Sequence, residues 1–467
     1  MPTYIRDGGV WKEVSGSSFT GNADTADQVS TGTTTGTGTY YPTFVNSNNS
    51  TRQNEFLYTD AGITYNPSTD SLGVSGDLAI SGSLSGVEDL NGGPLAGFRN
   101  LAINGNFDIW QRGTTNTGTV GVDGPFRVSD RWASGINPSA PAYSPSGSFT
   151  VSQENCTSTE FSYFNASFYQ RLTHTNVNFG TNLNTLVNDS ASSILAIQGI
   201  ENAFSVLGKT VTLSFWARAS ASTKIVSEQQ IHSISAPIWT PTICKTFDLT
   251  TTWQKFTHTY TLPTYSQVIA AGYDPSTVNT TLTNPTYTPI GEDATLPLVD
   301  WLFQIDIKTA WCLGEWRRHG NAYSGSRPSG FEGTEQTLAE MQNMNNSFIA
   351  NGYYDIAQIQ LELGPVATPF ELRPRIIERR LCERYYCEQQ VELQGSASGY
   401  YALQRYNFPV PMRTVPNVAN KVVGTLYFAT VHEDAGSLTP SGFYFQILPT
   451  GPNGYVISRI NSFSAEL

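Results

Sequence analysis

The chain of 467 residues is short of charge: Asp, Glu, Lys and Arg make up only 14% of it, against roughly 25% in an ordinary soluble domain. No run of about 18 apolar residues occurs, so no membrane span is expected. A cationic excess is also missing. With 26 Lys and Arg against 38 Asp and Glu, the formal net charge is −12. That balance argues against the basic face needed to displace counterions from nucleic acid, or to hold an anionic membrane surface. The five cysteines, Cys156, Cys244, Cys312, Cys382 and Cys387, are an odd number without zinc-like spacing. They are expected to be buried thiols of a protein made in a reducing cytoplasm. The first residues, MPTYIRDGGVW, hold no apolar signal-peptide core, so no secretion signal is expected.

Enzyme signatures are absent too. There is no Gly-x-Ser-x-Gly, no His-Glu-x-x-His and no phosphate-binding glycine loop with lysine. His258, beside Phe256 and Tyr260, is expected to be a structural strand histidine. Glycan cleavage needs two carboxylates about 5–10 Å apart across a bound sugar. Asp300, Asp306 and Glu315 are the nearest candidates, and no motif supports them. The expectation is a non-enzymatic protein.

What fills the chain is Gly, Ser, Thr and Asn, with 12% aromatic and 39% hydrophobic residues. That is enough apolar material for a core. Plentiful Thr, Tyr and Phe favour strands over helices, so the fold is expected to be mainly β. Residues 1–60 read as a docking segment and a Gly/Thr-rich linker. Tyr4, Ile5, Val10 and Trp11 flank Asp7-Gly8-Gly9, which predicts a hairpin. From Leu72 the sequence runs LGVSGD, LAISGS, LSG. Leu72, Leu78 and Leu84 recur every six residues, accompanied by Val74 and Ile80. A six-residue rung is too thin to bury its own apolar face, so residues 61–98 read as a short β shaft in which three chains intertwine. Two ordinary hairpins are the alternative.

Residues 99–373 carry strand-like runs at 148–153, 161–174, 209–220, 253–262, 297–308 and 354–363. In KTVTLSFWAR, Val211, Leu213 and Phe215 alternate with Thr212 and Ser214, the pattern of a half-buried strand. Trp301, Phe303, Ile305 and Ile307 likewise oppose Gln304, Asp306 and Lys308. Such strands, joined by long loops at 264–295 and 313–350, predict a two-sheet sandwich. Trp110, Trp132, Trp216 and Trp253 are expected in its core. Residues 374–390 read as a connecting helix, with Ile377, Leu381 and Tyr385 as its stripe and Arg384–Glu388 as a surface pair. Residues 391–467 read as a small β-sandwich head.

Sugar recognition needs aromatic platforms and planar polar partners. In the two long loops those are Trp316, Arg317, Arg318 and Tyr323, and Tyr265, Tyr273 and Tyr287. The same residues could anchor the loops or seal contacts between chains, where Trp, Tyr and Arg are also enriched.

NLAINGNFDIWQRG (100–113), SDRW (129–132), LGKTVTLSFWARAS (207–220), WQKFTHTYTLP (253–263), the run at 356–390, FPVPMRTVPNV (408–418) and FSAEL (463–467) follow one another in the order found in a known group of proteins. The chain from residue 99 onward resembles tail fibre and virion appendage proteins of phages of marine bacteria and cyanobacteria. The resemblance implies a galactose-binding-like jelly roll, a short helix and a C-terminal head, usually in a homotrimer. It further implies a structural calcium ion held by an acidic residue after NGNF, Asp108, and one in the last strand, Asp355. It implies a virion location. The N-terminal segment, with Tyr4, Ile5, Asp7, Val10 and Trp11, is expected to dock the fibre on other virion proteins. Leu72, Val74, Leu78, Ile80 and Leu84 would line the trimer shaft. The expected function is attachment to host surface polysaccharide. A purely structural head, neck or baseplate appendage and a glycan depolymerase are the alternatives.

Overall fold

Short alternating runs separated by Gly, Pro and Asn turns give strands over most of the described residues, with a few short helices. The structure is a computed structural model. It describes residues 3–7, 9–14, 43–44, 58–76, 89–90, 93–94, 98–137, 143–164, 166–187, 191–201, 205–233, 243–264, 266, 301–316, 336–395, 402–422, 429–433, 438–449 and 455–466. The chain divides into two units, Met1–Val87 and Glu88–Leu467.

In the first unit, β1 (Thr3–Asp7) pairs antiparallel with β2 (Val10–Val14), with Asp7 opposite Val10. Gly9 sits at φ +86°, a backbone conformation that glycine adopts without strain, so the predicted hairpin closes where expected. β3 (Thr43–Phe44) pairs with β4 (Tyr58–Thr59), and β5 (Ile63–Asn66) with β6 (Ser71–Val74). Leu72 and Val74 therefore lie in a two-stranded hairpin. Leu72 is 63% exposed and Val74 is exposed as well. Leu78, Ile80 and Leu84 lie outside the described residues.

The second unit begins with β7 (Asp89–Leu90) and β8 (Gly93–Pro94). Its centre is an antiparallel, jelly-roll-like β-sandwich. One sheet has six strands in the order β17 (Gln254–Thr261), β14 (Thr210–Ala219), β19 (Gly352–Leu363), β12 (Phe168–Asn178), β11 (Ser146–Asn155), β9 (Thr115–Thr119). The other has five: β10 (Ala133–Asn137), β13 (Ser192–Ile200), β18 (Trp301–Trp311), β15 (Thr223–Ser233), β16 (Ile243–Leu249). Leu172, Leu213, Phe215, Phe303, Ile305, Ile307, Tyr354 and Ile356 fill the space between the sheets. At Gln358, φ +48°, a bulge adds one residue to β19 opposite β14, so Ile356 and Ile359 both face the core.

Several details depart from the sequence reading. Thr212 and Ser214 are buried along with their apolar neighbours, because β14 is flanked on both sides and its outer face is also covered. Gln304, Asp306 and Lys308 point away from the core, yet Asp306 and Lys308 are buried. Helix α3 (Leu338–Asn346) packs on that face of β15 and β18, with Met341 and Met344 against Val226, Cys244, Trp311 and Leu313. Part of the loop expected at 313–350 is therefore helical. A capping box of Thr337 and Glu340 starts α3, and α2 (Leu313–Trp316) precedes it. A second capping box, Thr157 with Glu160, starts α1 (Ser158–Tyr163), where the 161–174 run was expected to be all strand. Trp132 is buried in the core between the sheets and Trp110 packs at its margin, whereas Trp253 is buried in a separate cluster with Phe164, Tyr169 and Ala357, and Trp216 packs against that cluster.

The connecting helix, α4 (Arg375–Glu383), is shorter than the predicted 374–390. Tyr386 already begins β20 (Tyr386–Gly395), because Tyr-Tyr-Cys favours the strand that pairs with β25 (Tyr455–Ser464). The expected stripe is reversed at Ile377, which is exposed, while Glu378, Cys382 and Glu383 are buried. Arg384 pairs with Glu201 at 2.9 Å rather than with Glu388. The head is two three-stranded sheets, β20–β25–β22 (Asn417–Val422) and β21 (Ala402–Asn407)–β24 (Gly442–Pro449)–β23 (Ala429–Glu433). Phe443 and Phe463 meet across them at 4.7 Å between ring centroids, and Phe408 joins Phe463 edge-on.

Candidate functional site

Of the loop residues expected to bind sugar, Arg317, Arg318, Tyr323, Tyr265, Tyr273 and Tyr287 lie outside the described residues. Trp316 is the last residue of α2. Tyr4, Ile5, Asp7, Val10 and Trp11 are the arms and closing pair of the β1–β2 hairpin.

Asp108 and Asp355, the expected calcium ligands, have other partners. Asp108 accepts from the Asn106 amide at 2.9 Å, and burial raises its pKa. Asp355 is fully buried in β19 and accepts from two arginines. Arg171 of β12 donates through Nε at 2.7 Å and Nη2 at 2.9 Å, and Arg218 of β14 through Nε at 2.8 Å. Among the described residues no group of three or more His, Cys, Asp or Glu side chains is placed to hold a metal. The chemistry at Asp355 is thus a bridged ion pair and differs from an open oxygen ligand set. Buried carboxylates need such partners, since an unpaired one costs several kcal/mol, on the order of 3–5.

Period-two geometry puts Arg171, Arg218, Tyr353 and Asp355 together on the outward face of the six-stranded sheet, while Leu172, Ala217, Tyr354 and Ile356 face inward. Burial raises the pKa of Asp355, and the two guanidiniums oppose that rise. The Arg171 guanidinium lies 3.9 Å over the Tyr353 ring, and that of Arg218 lies 4.7 Å from the Trp253 ring. Tyr169 Oη accepts from Arg218 at 3.1 Å. Helix α1 covers part of this face, with Glu160 2.7 Å from Arg218 and 3.2 Å from Trp253 Nε1. The Arg171 and Arg218 side chains remain 22% and 18% exposed. The result is a shallow patch of rigidly held guanidinium edges beside the tyrosine face of Tyr353.

The motifs at 100–113, 129–132, 383–390 and 463–467 meet at a second place. Asn104, φ +57°, accepts from Ile109 N at 3.0 Å and donates to the carbonyls of Ile109 and Asp130, both at 2.9 Å. Trp132 Nε1 donates to Asn104 O at 3.0 Å. At Gly105 a side chain would collide with the Ile359 carbonyl, 2.0 Å from where its Cβ would lie. Past the end of β25, Ala465 N donates to Tyr385 O at 2.7 Å and Glu466 turns into an arginine cage. Arg112 holds it at 2.8 Å, Arg131 bonds it directly, and Arg127 Nε is 3.7 Å away. Arg131 is buried against the Tyr385 ring, and Arg112 lies 3.7 Å over Tyr386. Burial works to raise the Glu466 pKa, but the three arginines prevail and hold it at about 2. Asp130, behind Arg112, is pushed to about 6 by burial.

Arg171, Arg218 and Tyr353 were not among the expected site residues. Their signal was in the chain: with charge so scarce, a charged residue in the outward phase of SFYQRL, FWARAS and YYDIAQ marks one face of three strands that prove to be neighbours.

No family model matches the chain, and no curated protein matches it. Solved structures similar to it include the enzymatically active domain of tailspike protein 4 of bacteriophage CBA120, at 10% identity and TM-score 0.25, covering 57% of this chain and 21% of that one. The match therefore spans about a fifth of the length of that solved tailspike domain. The xylan-binding domain of Paenibacillus barcinonensis Xyn10C is similar at 10% identity and TM-score 0.20, covering 56% and 94%. A family 11 carbohydrate-binding module from Clostridium thermocellum, in complex with a mixed-linked tetrasaccharide, is similar at 8% identity and TM-score 0.22, covering 55% and 99%.

Proposed function

We propose that this chain is a non-enzymatic fibre of a bacteriophage virion that attaches to host surface polysaccharide. The observation that supports attachment is the patch around Asp355. Its guanidinium edges are directed by a buried carboxylate, and the half-buried Tyr353 ring lies beside them, packed against the Arg171 guanidinium. Guanidinium donors pair sugar hydroxyls, and pyranose CH faces stack on aromatic rings. Each such contact is weak, and a homotrimer would multiply three weak sites into useful avidity. The exposed Leu72 and Val74 of β6 supply apolar surface for other copies of the chain. The β1–β2 hairpin serves as the virion-docking element.

A glycan array probed with purified full-length protein tests this. Retention of bacterial surface polysaccharides without release of reducing ends is the expected result. Absence of retention at high protein concentration would leave only a structural appendage, and release of reducing ends would make the chain a depolymerase.

A further inference from the structure

The outward face that carries Arg171, Arg218 and Tyr353 continues past the arginines. Trp216 precedes Arg218 by two residues on β14, so both side chains leave the same side of the six-stranded sheet. Helix α1 brings Tyr163 to the Trp216 ring, with centroids 6.0 Å apart and planes tilted by 47°. Tyr163 is 49% exposed and Trp216 is half-buried. Both are held from behind. Phe164 packs on Trp216 at 5.8 Å and edge-on against Trp253 at 4.9 Å. Glu160, which closes the capping box at the start of α1, is also the carboxylate that meets Arg218 and the Trp253 indole. The helix is thus fastened to the patch that it borders.

The spacing of the rings sets the size of what fits. Trp216 lies opposite Ala357 of β19, and Tyr353 stands four residues before Ala357 on that strand. The two aromatic ends are therefore about 13 Å apart along the sheet, with the row Arg218–Asp355–Arg171 between them. A single pyranose ring cannot touch both. The arginines between them retain unused donors. Nε and Nη2 of Arg171 and of Arg218 go to Asp355, Glu160 and Tyr169, whereas Nη1 of each bonds no described residue. Each guanidinium already faces a carboxylate, so its remaining N–H groups suit hydroxyls, while Asp355 and Glu160 repel a further anion.

We infer that Tyr163 and Trp216 form a second aromatic platform of this site, which takes an oligosaccharide of uncharged pyranose units stretched from Tyr353 across the arginine row to Trp216 and Tyr163. That the occupant is a glycan rests on the function proposed for the Asp355 patch; the ring spacing and the unused donors add its length and its lack of charge.

Calorimetric titration of the full chain with cellotetraose, maltotetraose, β-linked mannotetraose and β-linked galactotetraose, each beside the methyl glycoside of its own sugar, tests the inference. At least one tetrasaccharide is expected to bind with a Kd of about 1 mM or tighter, and about tenfold more tightly than its methyl glycoside. Tyr163→Leu fills the space beside Trp216 without a ring and is expected to weaken that tetrasaccharide about tenfold, while Tyr163→Phe keeps its affinity within about twofold. No tetrasaccharide binding at about 10 mM overturns the inference. So does equal affinity for the tetrasaccharide and its methyl glycoside, or unchanged affinity in Tyr163→Leu. A loss in Tyr163→Phe as large as in Tyr163→Leu would lodge the effect in the hydroxyl and overturn the platform too. Polysaccharide retention on the array alongside any of these results refutes the extended site alone, whereas absence of both retention and tetrasaccharide binding refutes the carbohydrate reading as well.

Discussion

Two carboxylates of the same unit are wrapped in guanidinium, and their settings differ. Asp355 and its arginines sit on three neighbouring strands that backbone hydrogen bonds already join. Its ion pairs hold nothing together that would otherwise part; they aim two side chains outward. Glu466 comes from beyond the last head strand and reaches arginines of the sandwich's N-terminal loops. Backbone pairing there is sparse: Ala465 N donates to Tyr385 O, and the Gln111 side-chain amide donates to the Tyr386 carbonyl at 3.0 Å. The same chemistry therefore directs in one place and fastens in the other, depending on whether main-chain pairing already spans the gap.

The largest effect that would break this contrast is expected at the fastening site. Glu466→Gln leaves buried Arg131 facing a neutral amide and is expected to cost about 3–5 kcal/mol, read as a lower urea midpoint. Asp355→Asn is expected to cost less, about 2–3 kcal/mol, because both of its arginines reach solvent at their edges. A Glu466→Gln effect smaller than that of Asp355→Asn would invert the comparison.

Acid sharpens it further. His174 and His258 are buried and neutral, with burial lowering their pKa values to about 4 and about 3 from 6.5. The unfolded chain takes up those protons first, so stability is lost as pH falls below 6.5. The loss is about 2 kcal/mol per histidine at pH 5. Asp130, raised to about 6, works the other way over the same range and shallows the fall. The Glu466 contribution is full above 4.5 and is lost only as pH falls towards 2. Urea midpoints across pH should therefore decline in two stages, and Glu466→Gln should remove the second. The smallest effect is expected at Leu72. Leu72→Ser is expected to change the stability of the single chain by under about 0.5 kcal/mol. If β6 supplies a trimer contact, the same substitution lowers the mass seen in sedimentation.

Much of this architecture was legible because strand alternation is a local signal. Val211, Leu213 and Phe215 announced β14, and Phe303, Ile305 and Ile307 announced β18. What alternation could not show is whether the polar face is covered. Lys308 and Asp306 looked solvated and are buried under α3, a cover that lies 30 residues further along the chain. The arginine patch was hidden for a related reason. Arg171, Arg218 and Asp355 become one site only when β12, β19 and β14 pair in that order, and strand order is a long-range property. Tyr385 carried the helical stripe onward in the sequence, but the strand preference of the aromatic Tyr386 and the partner strand β25 decided otherwise.

The central claim is that the outward patch around Asp355 recognises glycan, and Tyr353→Ala addresses it most directly. The substitution removes a partly exposed ring and leaves the Asp355 ion pairs in place. Affinity of the full-length variant for the retained polysaccharide should be measured beside that of the unaltered chain, by calorimetry. A loss of about tenfold, close to the roughly 0.5–1.5 kcal/mol of one aromatic contact, with stability from the urea midpoint lowered by no more than about 1 kcal/mol, the worth of the Arg171 cation–π contact, is the predicted result. Equal affinity in the two proteins would contradict the claim.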